Sequence, residues 1–228
     1  MTLPTLTLPT YSIELPSTEE MVDFRPFIVK EEKILLIALE GGEYEPIVRA
    51  LKDMVNTCTF EKLEIDKLPV FDLCFLFLNI RAKSVGEIIE PSLICAECSE
   101  PNPVKINIAE MKVTKKSNHT NKIDLGEGVG ILMKYPVLLD EEEKGDVSIS
   151  LIVSCIEMIY DGEQIYKSED RTKEELVEFI ENLTHNQFEN IIKFYDTMPE
   201  LKHIVKYKCS KCDKANQVVL EGLGDFFL

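Results

Sequence analysis

The chain opens on a stretch that resists helix. Leu, Pro and Thr alternate through the first ten residues, and prolines at 4, 9 and 16 exclude helix and confine any strand to an edge. An extended segment is expected over residues 1–27, ending in a short strand near Asp23–Phe27. From Val29 the texture changes. Glu31 and Glu32 suit a first helical turn, where carboxylates favour the dipole, and Gly41-Gly42 ends the run Ile34–Leu39 as a C-terminal cap. Pro46 starts a second predicted helix, with Ile47, Val48, Leu51, Met54 and Val55 at helical spacing, and Cys58 ends it. Pro69 opens a third, to about Val85. Its side chains from Phe71 to Ile80 are apolar on nearly every side, so it is expected at the centre of a core.

The second half alternates similarly. Residues 88–110 read as a two-stranded ribbon, and 114–123 as a polar loop. Ile131–Tyr135 reads as a short strand behind the Gly126, Gly128, Gly130 repeat. Asp140–Glu143 suggests an acidic, solvated helix start, and Val147–Tyr160 a buried helix. Asp161-Gly162 marks a tight hairpin. Thr172 with Glu175 forms a capping box for a helix to about Leu183. Thr184 or Asn186 caps the next helix, with Phe188, Ile191, Ile192 and Tyr195 inward and Pro199 as its stop. A second ribbon occupies Leu201–Leu220.

The expected fold class is therefore α+β, with a mainly helical core and β-ribbons. Its organisation is an extended segment over 1–27, a helical half over 28–113, the loop at 114–123, a helical middle over 124–200, and a ribbon and tail over 201–228.

Composition narrows the function classes. Of 228 residues, 45% are hydrophobic and 29% charged, a globular balance. The net charge of −16 opposes nucleic-acid binding, which depends on cations that neutralise phosphates. The first twenty residues lack the basic start and apolar run of a secretory signal, and no apolar run reaches membrane-spanning length. The seven cysteines are thus expected in a reducing compartment, where closely spaced pairs serve metals sooner than disulfides.

Two such pairs exist, in arms that resemble each other. Cys95-x-x-Cys98 is followed by Asn102, Val104 and Ile106. Cys209-x-x-Cys212 is followed by Asn216, Val218 and Leu220. A two-residue spacing lets two thiolates grip one ion from a tight turn, and two arms supply four sulfurs, the set that suits tetrahedral zinc. Asn tolerates a left-handed backbone and is expected to finish each turn. The pattern is a zinc ribbon split by a long insertion, with one structural zinc ion at Cys95, Cys98, Cys209 and Cys212. Four sulfurs leave no coordination position for catalytic water. Cys58, Cys74 and Cys155 sit among apolar neighbours and read as core.

Other signals carry less. The glycine repeat precedes a strand and lacks a following Lys-Ser/Thr, so it reads as a turn. His119, His185 and His203 have no companion nucleophile or acid in a motif. No enzymatic constellation and no small-molecule substrate site is evident.

Phe24-Arg25-Pro26-Phe27, continuing through Lys30-Glu31-Glu32-Lys33, and the run Phe75-Leu76-Phe77-Leu78-Asn79-Ile80-Arg81-Ala82-Lys83-Ser84-Val85-Gly86-Glu87 carry a resemblance. They resemble the baseplate hub assembly proteins of T4-like bacteriophages. The resemblance implies a viral protein made in the host cytoplasm, active in tail assembly as a chaperone or subunit of the contractile-tail baseplate hub, and placed there or in the virion tail baseplate. Its partners would be other phage tail or hub proteins. The rival reading is a zinc-ribbon module for nucleic acid or transcription, favoured by Lys202, Lys206, Lys208, Lys211 and Lys214 and opposed by Glu97 and Glu100. Arg25, Pro26 and Phe27, at the end of the extended segment, are candidate partner-binding residues. The alternative is that Phe27 packs on the first helix.

Overall fold

The computed structural model describes residues 6–138 and 148–221. In chain order the elements are β1 (Tyr11–Glu14), β2 (Met21–Phe24), α1 (Val29–Gly41), α2 (Tyr44–Cys58), α3 (Val70–Ser84), β3 (Ile88–Ile89), β4 (Ser92–Ile94), β5 (Pro101–Pro103), β6 (Ile106–Asn107), β7 (Val113–Thr114), β8 (Lys122–Gly126), β9 (Val129–Met133), α4 (Ile149–Ser154), β10 (Ile156–Asp161), β11 (Gln164–Lys167), α5 (Lys173–Glu181), α6 (His185–Thr197), β12 (Glu200–Lys208) and β13 (Ala215–Glu221). The fold class is α+β. The chain divides into two compact units: Met1–Thr114 with Leu138–Glu141 and Glu200–Leu228, and Lys115–Val137 with Glu142–Pro199.

In the first unit α3 is central, as its all-round apolar sequence requires. Leu73, Leu76 and Ile80 are fully buried, with Leu51 and Val55 of α2 in the same cluster. Cys58 and Cys74 are buried here, and burial pushes both thiols up to about 12. Asp72, in the first turn of α3, is buried too. It accepts from the backbone N–H of Ser17 at 3.2 Å and from the Ser17 hydroxyl, and burial still raises its pKa. The α2 helix begins at Tyr44, two residues before Pro46, which remains in the first turn where its missing N–H costs nothing. The glycine cap of α1 is present: Gly42 is left-handed, at φ 71°, and its N–H reaches Ala38 and Leu39.

The N-terminal segment differs from expectation. The strand ends at Phe24, before the Asp23–Phe27 span is complete, and Tyr11–Glu14 is itself a strand paired antiparallel with it. Pro9 and Pro16 flank β1 without interrupting its ladder.

The region 88–110 forms a ribbon in two registers. Ile88–Ile89 pairs with Ile106–Asn107, and Ser92–Ile94 with Pro101–Pro103. The C-terminal ribbon, β12 with β13, pairs along seven positions, and β7 adds to the other side of β12.

The second unit is a four-stranded antiparallel sheet, in the order β11-β10-β9-β8, covered by α4, α5 and α6. The expected helix over Val147–Tyr160 is corrected here. Only Ile149–Ser154 is helical, and Ile156–Asp161 is a central strand between β9 and β11. The Asp161-Gly162 hairpin fixes β11 against it, and Ile156 and Ile159 enter the core, so sheet pairing overrides helical spacing. The glycine repeat is a hairpin turn, with Gly126, Glu127 and Gly128 all at positive φ. A Cβ at Gly130 would lie 2.0 Å from the Tyr160 hydroxyl, so only glycine admits that ring. The predicted strand at Ile131–Tyr135 lies two residues earlier. The capping box at Thr172 and Glu175 is present, and α5 ends at Glu181. Thr184 caps α6, whose innermost residues are Ile191 and Phe194, the latter absent from the predicted face. Asp140–Glu143 lies outside the described residues.

Candidate metal centre

Each cysteine arm is a tight turn closed by the same pair of backbone bonds. In the first, Cys95 N–H donates to Glu100 O at 2.9 Å and Ser99 N–H to Cys95 O at 3.0 Å. In the second, Cys209 N–H donates to Lys214 O at 2.9 Å and Asp213 N–H to Cys209 O at 3.1 Å. The left-handed residues are Ser99 (φ 55°) and Asp213 (φ 60°), each one place after the second cysteine. The expectation that Asn102 and Asn216 finish the turns by their backbone is therefore corrected.

The two asparagines do something else, and do it reciprocally. Asn102 donates through Nδ2 to Glu100 O of its own arm at 2.8 Å and to Cys209 Sγ of the other arm at 3.7 Å. Its Oδ1 accepts from Ser210 N–H at 2.8 Å and the Ser210 hydroxyl at 3.0 Å. Asn216 donates to Lys214 O at 3.0 Å and across to Cys95 Sγ at 3.5 Å, and accepts from Ala96 N–H at 3.2 Å. Each asparagine thus ties its own turn to the first cysteine of the opposite arm. The repetition of Asn at the same offset in both arms was the visible signal, but its cross-arm reach was not.

The turns bring the four sulfurs together. Cys95 Sγ lies 3.7 Å from Cys212 Sγ, and Cys98 Sγ 3.6 Å from Cys209 Sγ. All four lie within 4.8 Å of one another, so the cluster could hold a metal ion. The sulfurs are free thiols, and Cys95 and Cys209 are buried. The electrostatics are those of sulfurs competing for few protons. Backbone N–H groups of Cys212 and Lys211 hold Cys209 down at about 6, and those of Cys98 and Glu97 lower Cys95. At Cys212 the Lys214 N–H pulls down, but desolvation and the neighbouring sulfurs outweigh it and push the thiol up to about 12. His203 lies on β12 and is not in the cluster.

The lysines of the second arm face carboxylates. Lys211 meets Glu100 at 2.7 Å and Lys214 meets Glu97 at 3.7 Å, both across the arms. Lys208 meets Asp213 at 3.1 Å, and Lys202 meets Glu221 at 3.2 Å.

Arg25, Pro26 and Phe27 turn inward. The Arg25 guanidinium pairs with Glu31 at 2.6 Å, both side chains being largely buried. Glu31 also accepts from Ile28 N–H at 2.8 Å. Burial pushes against the Glu31 carboxylate, but Arg25 and that N–H win and lower its pKa. Pro26 is buried, and Phe27 packs against the core with its N–H on Ser84 Oγ at 2.9 Å. Among the described residues, no helix is long and apolar enough to cross a membrane.

The chain is 26% identical to the baseplate hub assembly protein gp26 of Enterobacteria phage T4, over 220 residues that cover 95% of this chain and 97% of the relative. No solved structure matches. Residues 8–228, including both cysteine arms, match the family described as T4 bacteriophage base plate protein, and the chain belongs to that family.

Proposed function

We propose that this protein is a non-enzymatic assembly factor or structural subunit of a contractile-tail phage baseplate hub, acting through protein–protein binding. The observation that carries this is the near end-to-end match to a baseplate family and to a hub assembly protein. Its partners are then other tail or hub proteins, in the host cytoplasm during assembly or in the virion tail baseplate. A tagged full chain recovered from infected cells tests it: hub or tail proteins should come with it, and their absence would refute the reading.

Within it, Cys95, Cys98, Cys209 and Cys212 hold one structural zinc, and the two ribbons form a split zinc ribbon. Tetrahedral zinc with Zn–S near 2.3 Å sets sulfurs about 3.8 Å apart. The separations of 3.6 and 3.7 Å fit that set. The two asparagine amides supply outer hydrogen bonds of the kind that orient thiolate ligands. A four-thiolate site leaves zinc with no open position, so its role is to fasten the C-terminal ribbon to the segment at 92–103. One zinc per chain with four sulfur ligands, by metal analysis and X-ray absorption, is the expected result.

The nucleic-acid reading is disfavoured at the same place. Four of the five lysines that motivated it are paired with carboxylates, which leaves little free positive charge at the knuckles. Docking at Arg25, Pro26 and Phe27 would run through the outer edges of the β1–β2 hairpin, since the three side chains are engaged within the protein. Unchanged complex formation after deletion of residues 1–20 would show that the N-terminal tail is not the docking element.

A further inference from the structure

The first helix carries an apolar face that its own fold does not bury. In α1 only Leu35 is buried, while Ile34, Leu36 and Ile37 are 51%, 51% and 58% exposed. At 100° per residue, Ile34, Ile37, Ala38 and Gly41 fall on one stripe. That stripe is one wall of a groove of about 520 Å³, and Pro46 and Ala50 of α2 belong to the other. Scattered exposed aliphatics are ordinary, but a continuous apolar stripe along a groove marks a contact surface.

The charges around the groove say what fits it. Its lining includes Glu43, Glu45 and Asp53 against a single cation, Arg49, whose guanidinium is already paired with Glu45. Glu40 extends the acidic end, while Lys30, on the same stripe one turn before Ile34, and Lys33, directly before Ile34, mark the opposite end at the start of α1. A second copy of this chain would bring another −16 of charge against the first. A cationic partner meets no such opposition.

We propose that the groove between α1 and α2 binds an amphipathic helix of a partner protein. Its aliphatic anchors at helical spacing lie along Ile34, Ile37 and Ala38, and its Lys or Arg residues sit beside Glu43 and Asp53. The proposal rests on the protein-binding role inferred above and assigns it a place. Both walls are helical and internally packed, so the face is presented on a rigid support, with little ordering entropy lost on binding.

The test uses the tagged full chain in infected cells, with a photoreactive residue at position 37 and two further variants, Ile34→Lys/Ile37→Lys and Glu43→Lys/Asp53→Lys. These positions are exposed, and unchanged helical circular dichroism and metal content verify the fold. The cross-linked peptide should come from a tail or hub protein and show aliphatics at three- and four-residue spacing with flanking Lys or Arg. Recovery of that protein should fall about tenfold or more for the Ile pair, the size of a hot-spot loss, and less for the charge pair. Wild-type recovery should weaken as salt rises. Equal recovery by wild type and both variants would remove the groove while leaving the hub role standing. A cross-link to a second copy, or none, would overturn the groove as well. A wild-type chain that brings down no tail protein would remove the role on which it rests.

Discussion

The two compact units are closed in different ways. The second is built from Lys115–Val137 and Glu142–Pro199, so its strands and helices meet neighbours close in sequence. An antiparallel sheet, two capping boxes and a core of Ile131, Ile152, Ile191 and Phe194 hold it. The first must join residues near 95 to residues near 212, and there the chain uses four sulfurs and two crossed asparagines. Closing a long loop costs entropy that local contacts do not repay. Where the sequence separation is large, this protein adds one further fastening point, the sulfur cluster, to the pairing of β12 with β7 and the burial of Leu201, Val205 and Leu220 in the first core. Where it is small, a sheet and a core serve without such a point.

Breaking that point should have the largest effect. Structural zinc sites release about 10–16 kcal/mol in small peptides, comparable to the whole stability of a domain, about 5–15 kcal/mol. Cys209→Ser, or chelation, should make the amides of β12 and β13 exchange rapidly while those of β9 and β10 keep their protection. Cys209→Ser should do nearly as much damage as replacing all four cysteines. Joint loss of protection in both units would mean that they are not held independently.

The converse cut is Phe194→Ala. Phe194 is fully buried between Tyr135, His119 and Tyr195, and its loss should cost about 3–5 kcal/mol. Denaturant unfolding followed in α6 should register this, while the metal content of the folded chain should match that of the wild type. Loss of metal in this variant would mean the clamp depends on the second core.

Asn102→Ala sharpens the account of the clamp itself. Asn102 is only 4% exposed and serves four partners, so its removal strands Ser210 N–H and unties Cys209. A cost of about 1–3 kcal/mol is expected, with metal affinity lower by roughly 10–100-fold in chelator competition. Asn216→Ala, at a less buried site, should cost less. Equal, negligible effects would mean that the sulfurs alone close the site.

The smallest effect separates the units by pH. In the second unit His119 bonds Thr197 Oγ1 and the Tyr135 hydroxyl, both at 3.0 Å, and burial, aided by Lys115, lowers its pKa below 6.5. A base with a depressed folded pKa is held neutral, so the unfolded chain takes up its proton first as pH falls. Its contribution is complete above about pH 6.5 and is lost as pH drops through the lower, folded value. The stability of the second unit against unfolding should fall over that window, and His119→Gln should flatten the trend.

Much of this was legible in the residues. The all-apolar run of α3, the Gly42 cap, the Thr172 and Glu175 box and the Asp161-Gly162 turn each depend on neighbours within a few positions, and each is present. The matched CxxC arms likewise announced a four-sulfur cluster, because the spacing within an arm is local and only the meeting of the arms is not. What failed was whatever depended on an unseen partner. Ile156–Asp161 carries an apolar pattern that serves helix or strand, and β9 and β11 on either side decided for strand. Tyr11–Glu14 became a strand because Met21–Phe24 returned beside it. Asn102 and Asn216 were visible as a repeat, yet their work lies in the opposite arm, more than a hundred residues away. Short-range sequence determined the caps, the turns, the buried helix and the paired cysteines of each arm, since their energies are local. Tertiary structure alone decided which strands pair and which amide meets which sulfur, since those energies exist only once distant segments touch.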